Sequence, residues 1–135
     1  MKGIADTGFL VAFANRRDAH HRWALEIAQR VTEPLLTCEA VLAEAAFHLR
    51  SVSLVMAFVT EGLVRPEFHL DDHIARIEEL AERYADRCPD LADLCLIRMS
   101  ELHPKSPVIT TDVADFRIYR RGRREAIPLI HPPQL

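Results

Sequence analysis

Residues 3–14 read GIADTGFLVAFA, an apolar run interrupted by a single acid, Asp6. Lys2 to Ala5 has the character of a short buried strand, and Thr7 to Asn15 reads as a helix that follows it directly. An unpaired carboxylate buried between two such elements is costly, so it must hold a proton or meet a cation. A strand that hands over to a helix with an acid at the junction is the opening of an α/β unit. The rest of the chain repeats the pattern.

Asp18 is the expected cap of a second helix reaching about Val31, carrying Ala19, Trp23, Leu25 and Ile27, and Pro34 ends it. Leu35 to Thr37 forms a second short strand, with Thr37 as the cap of a helix to about Arg50. A short helix from Ser53 to Gly62, an extended stretch from Val64 to Phe68 and a helix from Asp71 to about Tyr84 follow. After Pro89 comes a helix from Asp90 to about Leu102, then strands at Val108 to Thr110 and Ile127 to Ile130 before a proline-rich tail. Strands alternating with helices imply a parallel sheet covered on both faces. The expected architecture is α/β, three layers with a central parallel sheet of four to five strands, in one domain spanning residues 1–135. No repeat, low-complexity stretch or linker divides the chain.

Composition is that of a soluble globule, with 49% hydrophobic and 27% charged residues. Cys38, Cys88 and Cys95 form no CxxC pair and are odd in number, which suggests reduced core thiols in a cytoplasmic protein. Asp6 interrupts what would be the apolar core of a signal segment. No apolar run reaches membrane-spanning length.

Three more acids share the awkward placement of Asp6. Glu44 is the one charge within residues 40–47, Asp93 opens Leu94-Cys95-Leu96-Ile97, and Asp112 closes Val108-Ile109-Thr110-Thr111. In parallel sheets, sites form beyond the C-terminal strand ends. Asp6 and Asp112 both lie at such ends, and Glu44 and Asp93 sit on helices able to lean over the same edge. Each acid also has a structural explanation: Asp90 and Asp93 as a capped helix start, Asp112 as the cap of residues 113–116, Glu44 at a polar helix edge beside His48. Taken together they are harder to dismiss. Two carboxylates about 4 Å apart repel by roughly 4 kcal/mol at an effective dielectric near 20, so four in one crevice call for a shared cation. Oxygen ligands at an open site suit Mg²⁺ or Mn²⁺, one or two ions, and attack of water on a phosphodiester. No His or Cys set has zinc spacing, and His20 and His21 are expected at the surface. The net charge of −3 argues against a nucleic-acid partner, but without the four acids 16 acids face 17 Lys and Arg, which removes that objection.

The segments IADTGFLVAFANRRDAHH, LLTCEAVLAEAAFHL, PDLADLCLIRMSE and VITTDVADFRIYR, in that order, resemble a PIN domain of the VapC toxin type. The resemblance implies a metal-dependent endoribonuclease, the toxin of a toxin–antitoxin pair, commonly a homodimer and held inactive by a cognate antitoxin. It maps the metal-site acids onto Asp6, Glu44, Asp93 and Asp112, outer-shell acids onto Asp90 and Asp115, and neighbouring hydroxyls onto Thr7 and Thr111. Arg117, Arg120 and Arg121, in the basic run FRIYRRGRRE with Arg123 and Arg124, are candidate RNA-phosphate contacts; a solvated loop or a socket for an acidic partner explains the same run. Arg16 and Arg17 are placed to flank the crevice. The apolar stretch Leu54 to Val59 is expected to be mostly core, with part of it free for a dimer or antitoxin surface. A non-catalytic binding module of the same fold is the alternative. A phospho-acceptor receiver is disfavoured, because Asp6 has no acidic neighbour and no Lys follows Lys105.

Overall fold

The computed structural model describes residues 1–133; residues 134–135, the end of the expected proline-rich tail, lie outside the described residues. The chain runs β1 (Ile4–Ala5), α1 (Thr7–Ala14), α2 (His21–Gln29), β2 (Leu35–Thr37), α3 (Glu39–Leu49), α4 (Val52–Thr60) and β3 (Val64–Pro66). A 3₁₀ turn (Leu70–His73) leads into α5 (Ile74–Arg83), and a second (Ala85–Arg87) precedes α6 (Leu91–Leu102). β4 (Val108–Ile109), α7 (Val113–Phe116), β5 (Arg120–Arg121), β6 (Glu125–Ala126) and β7 (Leu129–Ile130) complete it.

Five strands form one sheet in the order β3-β2-β1-β4-β7, every pair parallel. Helices flank the sheet, in agreement with the expected α/β/α layering. The strands are short and apolar because both of their faces are covered: Ile4, Ala5, Leu35, Val108 and Ile109 have no exposed surface. α1 packs on α2 and α3, with Phe9 edge-on to Trp23 of α2 at 6.0 Å, and Phe13 also meets Phe58 of α4 edge-on at 5.7 Å. On the α5–α6 side Tyr119 is wedged between Tyr84 and Phe116, at 5.1 and 5.4 Å.

The chain builds β1, β2 and β3 outward in one direction and then crosses back to add β4 and β7 on the other side of β1. That reversal puts the topological switch point between β1 and β4, where a crevice opens beyond the strand ends.

Several local expectations change. Thr37 does not cap α3; it belongs to β2, and its hydroxyl donates to the Ala5 carbonyl at 3.1 Å, so Cys38 takes the cap position without a side-chain bond. Asp18 accepts from His20 N at 2.8 Å, closing a turn ahead of α2 rather than capping the helix itself. Ser51, not Ser53, caps α4. Cys88 is exposed, unlike Cys38 and Cys95, because it sits in a left-handed turn (φ 48°) that projects between α5 and α6. In the Leu54 to Val59 stretch Val55 and Phe58 are core, while Leu54 and Met56 face outward. The largest omission is the antiparallel hairpin β5–β6, which turns at Gly122 (φ 57°) in the middle of the basic run.

Candidate active site

β1 and β4 pair in the register Ile4↔Val108 and Ala5↔Ile109, so the residues that follow them emerge side by side. Asp6 N–H still bonds the Ile109 carbonyl at 3.0 Å, holding the two strand ends together where α1 begins. A crevice of about 390 Å³ opens there, lined by Asp6, Glu44, Asp90, Asp93, Asp112 and Asp115 among others. All four sequence-predicted core acids and both outer acids therefore meet at one place. Arg16 and Arg17 are exposed and do not line it.

Each acid is held by the local structure that its own residue type favours. Asp6 is the N-cap of α1: one oxygen accepts from Thr7 N–H at 2.7 Å, the other from the Thr110 hydroxyl at 2.6 Å, and the residue is only 6% exposed. Asp90 caps α6 by accepting from Asp93 N–H at 2.8 Å, which fixes the start of the helix that presents Asp93. Asp112 caps α7 through Asp115 N–H at 3.2 Å, and its own N–H donates to the Thr110 hydroxyl oxygen at 2.9 Å. Asp93 accepts from the buried Tyr119 hydroxyl at 3.2 Å. Glu44, half-buried on α3, lines the same crevice. Capping and site roles do not compete, since a cap at a strand edge also points into the crevice. Gly8 lets α1 come this close: a Cβ there would stand 2.1 Å from the Thr111 hydroxyl.

The electrostatics are those of an unneutralised cluster. Burial lifts the Asp6 carboxyl from 3.8 to about 6 against the pull of Thr110 and Thr7, and Asp112 and Asp90 add repulsion. Asp93 rises to about 8, through burial first and then the charges of Asp90 and Asp6. Glu44 is raised by burial and by Asp90 and Asp6, and Asp112 chiefly by burial. The mutual repulsion shows that these groups feel one another across the crevice. Burial, then the charge of Asp93, pushes the Tyr119 hydroxyl up, so it stays a donor.

As the side chains stand, no three His, Cys, Asp or Glu groups among the described residues are placed to hold a metal ion together. The donor set nevertheless fits a hard divalent ion that keeps several waters and takes only one or two carboxylates directly. Its ligands are all oxygen, it carries excess negative charge, and beside it the buried Thr7 hydroxyl has no hydrogen-bond partner among the described residues. Asp6, Glu44, Asp93 and Asp112 are the four acids that the sequence expectation assigns to such an ion.

Sequence reasoning missed several residues of this site, among them Asp18, which lines the crevice but was expected only as a helix cap. Thr110 bridges Asp6 and the Asp112 backbone, whereas Thr111 lines the crevice against Gly8. Tyr119 positions Asp93 across 26 positions, and no local pattern links the two. His20 and His48 also line the crevice. His48 lies one helical turn from Glu44, a spacing that was legible; His20 was read as a surface residue, and His21 instead donates its Nδ1–H to the Ala12 carbonyl at 2.7 Å.

The basic run divides. Arg117 is exposed just after α7, and Arg120 donates to the carbonyls of Arg117 and Tyr119 at 2.6 and 3.1 Å. Arg121 does not face the crevice. It is 6% exposed, with its guanidinium tied to the Ser100 and Pro104 carbonyls and to Glu125. The expectation that it touches RNA beside the acids is corrected, because strand alternation turns it inward toward the end of α6.

The PIN domain family model matches residues 4–121, from β1 through β5. Among solved structures, that of Mycobacterium tuberculosis VapC20, described as a sarcin-ricin loop cleaving toxin, is similar with a TM-score of 0.69 at 20% identity, covering 80% of this chain and 87% of that one. At that identity the likeness speaks for the fold. No curated protein matches significantly.

Proposed function

This chain belongs to the PIN domain family, and we propose that it is a metal-dependent endoribonuclease, the toxin of a toxin–antitoxin pair, formed by one domain over residues 1–135. One observation carries the reading: carboxylates from the β1–α1 junction, α3, α6 and the β4–α7 junction converge on one crevice at the switch point and hold their protons abnormally tightly. Natural sequences rarely keep such a cluster without a cation.

In this reading Asp6, Glu44, Asp93 and Asp112 hold one or two Mg²⁺ or Mn²⁺ ions, with Asp90, Asp115, Thr7 and Thr111 in support. The ion supplies Lewis acidity that makes water a nucleophile at neutral pH and offsets charge on the leaving oxygen. The protein's own part is positional. Thr110 and the Thr7 N–H lock both oxygens of Asp6, so this carboxylate needs no reorganisation as charge develops. Tyr119 aims one oxygen of Asp93 and leaves the other free for the crevice. Asp93 holds its proton to about pH 8 in the cation-free site, so ion loading must expel that proton and affinity rises with pH. Arg117 and Arg120, next to α7, are the candidate contacts for RNA phosphates near the cut.

The proposed partners are RNA, a cognate antitoxin and a second copy of the chain, and the proposed location is the cytoplasm; no helix among the described residues is long and apolar enough to cross a membrane. The test is RNA cleavage with Mg²⁺, repeated in EDTA and with Asp6→Asn. Cleavage that needs the metal and is lost in the variant supports the reading. Equal decay by variant and wild type refutes it, since a contaminant then explains the signal. Calorimetric titration with Mn²⁺ separates the enzyme from a non-catalytic module, which would bind no ion.

A further inference from the structure

A second cavity, of about 520 Å³, lies away from the acids, between α5, the C-terminal half of α6 and the β5–β6 hairpin. Arg76, Arg83, Arg98, Arg121 and Arg123 line it, against Glu79, Glu101 and Glu125. The local balance is positive in a chain whose net charge is −3.

Its acids are already engaged from within. Glu101 accepts from Arg76, from Arg98 at 3.1 Å and from Gly122 N–H at 2.6 Å, and Glu125 accepts from Arg121 at 2.8 Å. Those bonds order Arg76, Arg98 and Arg121 without using all of their donors. Arg76 and Arg83 both donate to the Gly122 carbonyl at 3.1 Å, which leaves most of the Arg83 fork open. The Arg98 Nε–H is held by His73 Nδ1 at 3.1 Å. Arg121, 6% exposed, keeps a buried Nε–H with no partner, and Arg123 has no side-chain partner, both among the described residues. Ordered guanidinium forks with spare donors suit phosphate oxygens, because the entropy of fixing the side chains is already lost on folding.

The chain between α5 and α6 links the cavity to the crevice. Arg87 pairs with Asp115, a crevice residue, at 3.0 Å. Arg83, the last residue of α5, lies four positions before Arg87, which ends the 3₁₀ turn that follows α5. Arg83 in turn bonds the hairpin at Gly122, so basic groups run from Asp115 through Arg87 and Arg83 to the cavity.

We infer that this cavity is an RNA exosite: it takes a backbone phosphate of the substrate a few nucleotides from the scissile bond. The inference rests on the ribonuclease reading for its ligand, and on the cavity's geometry for its place. An acidic protein segment is the competing occupant. RNA is favoured because the basic groups continue from the crevice in which the substrate is cut.

The probes are fluorescein-labelled single-stranded RNAs of about 20 and about 4 nucleotides, with binding read by anisotropy in EDTA. Arg83→Glu with Arg123→Glu should weaken the long RNA about tenfold and reduce its salt slope by about 1.4, two contacts at ~0.7 each. The short RNA should bind and, with Mg²⁺, be cleaved as by wild type. Arg123→Glu alone, which breaks no internal bond, should show about half of the change in slope and guards against misfolding of the double variant. Unchanged affinity for the long RNA, or equal loss for both lengths, overturns the exosite. So does competition by polyglutamate that the long RNA fails to match. Wild-type protein that cleaves RNA while the variants bind the long RNA normally sinks the exosite alone. Length-selective binding lost in the variants, with no cleavage by wild type, sinks the ribonuclease reading alone.

Discussion

Replacing Asp6 by Asn should stabilise the cation-free protein, although it removes the central group of the site. Asp6 is 6% exposed and its carboxyl is raised from 3.8 to about 6, so the folded chain binds this proton more tightly than the unfolded one. The stabilisation from that proton is complete below about pH 3.8 and is lost as the pH rises through about 6. Above that range the charged carboxylate costs about 3 kcal/mol, from roughly two pH units at ~1.4 kcal/mol each. Asn keeps the acceptor for Thr7 N–H and presents an amide to Thr110, whose hydroxyl proton then loses its acceptor at a cost of about 1 kcal/mol. The net gain is about 2 kcal/mol, or on the order of 6 °C in melting temperature for a domain of this size. Circular-dichroism melts in EDTA should therefore rank the variant above wild type at pH 8, with the advantage gone or reversed at pH 4. Millimolar Mn²⁺ at pH 8 should raise wild type and leave the variant unchanged. A variant that melts below wild type at pH 8 in EDTA, or an advantage equal at both pH values, would refute the argument that Asp6 is a buried charge awaiting a cation.

Tyr119→Phe removes the donor that lowers the Asp93 carboxyl, so Asp93 should hold its proton even above pH 8 and resist the ion more strongly. Calorimetry should show Mn²⁺ affinity falling about fivefold at pH 7 (about 1 kcal/mol) and by less at pH 9; an equal loss at both would mean that the hydroxyl does not act through this proton. Arg121→Leu strands the Ser100 and Pro104 carbonyls and should cost about 2–4 kcal/mol in urea unfolding, whereas the exposed Arg117→Ala should stay within about 0.5 kcal/mol. Similar costs for the two would contradict the inward placement of Arg121.

Much of the site was legible because charge inside an apolar run is a local anomaly. Asp6, Glu44, Asp93 and Asp112 stand out against their immediate neighbours, and strand-to-helix junctions could be read from short-range pattern. Residues 35–37 and the helix ending at Leu102 are found where the periodicity puts them. Strand lengths were overestimated, since apolar character continues past the last sheet bond: Val64 to Phe68 yields a strand only through Pro66. The hairpin at residues 120–126 was hidden by its charge, as neither β5 nor β6 shows a strand-like apolar alternation. Gly122 between arginines was the one turn signal available.

The class of fold and the anomaly of the four acids follow from residues within a few positions of one another, because burial cost, capping and strand–helix alternation are local, and the family follows from four ordered segments. Which neighbours serve those acids is settled by packing. Thr110 rather than Thr111 reaches Asp6, Tyr119 reaches Asp93 across 26 positions, and His20 enters the crevice while Arg121 turns away from it. Those choices depend on the direction in which each side chain leaves its own element and on how the elements pack. Two residues adjacent in sequence then lie on opposite faces, and two that are far apart can share a proton.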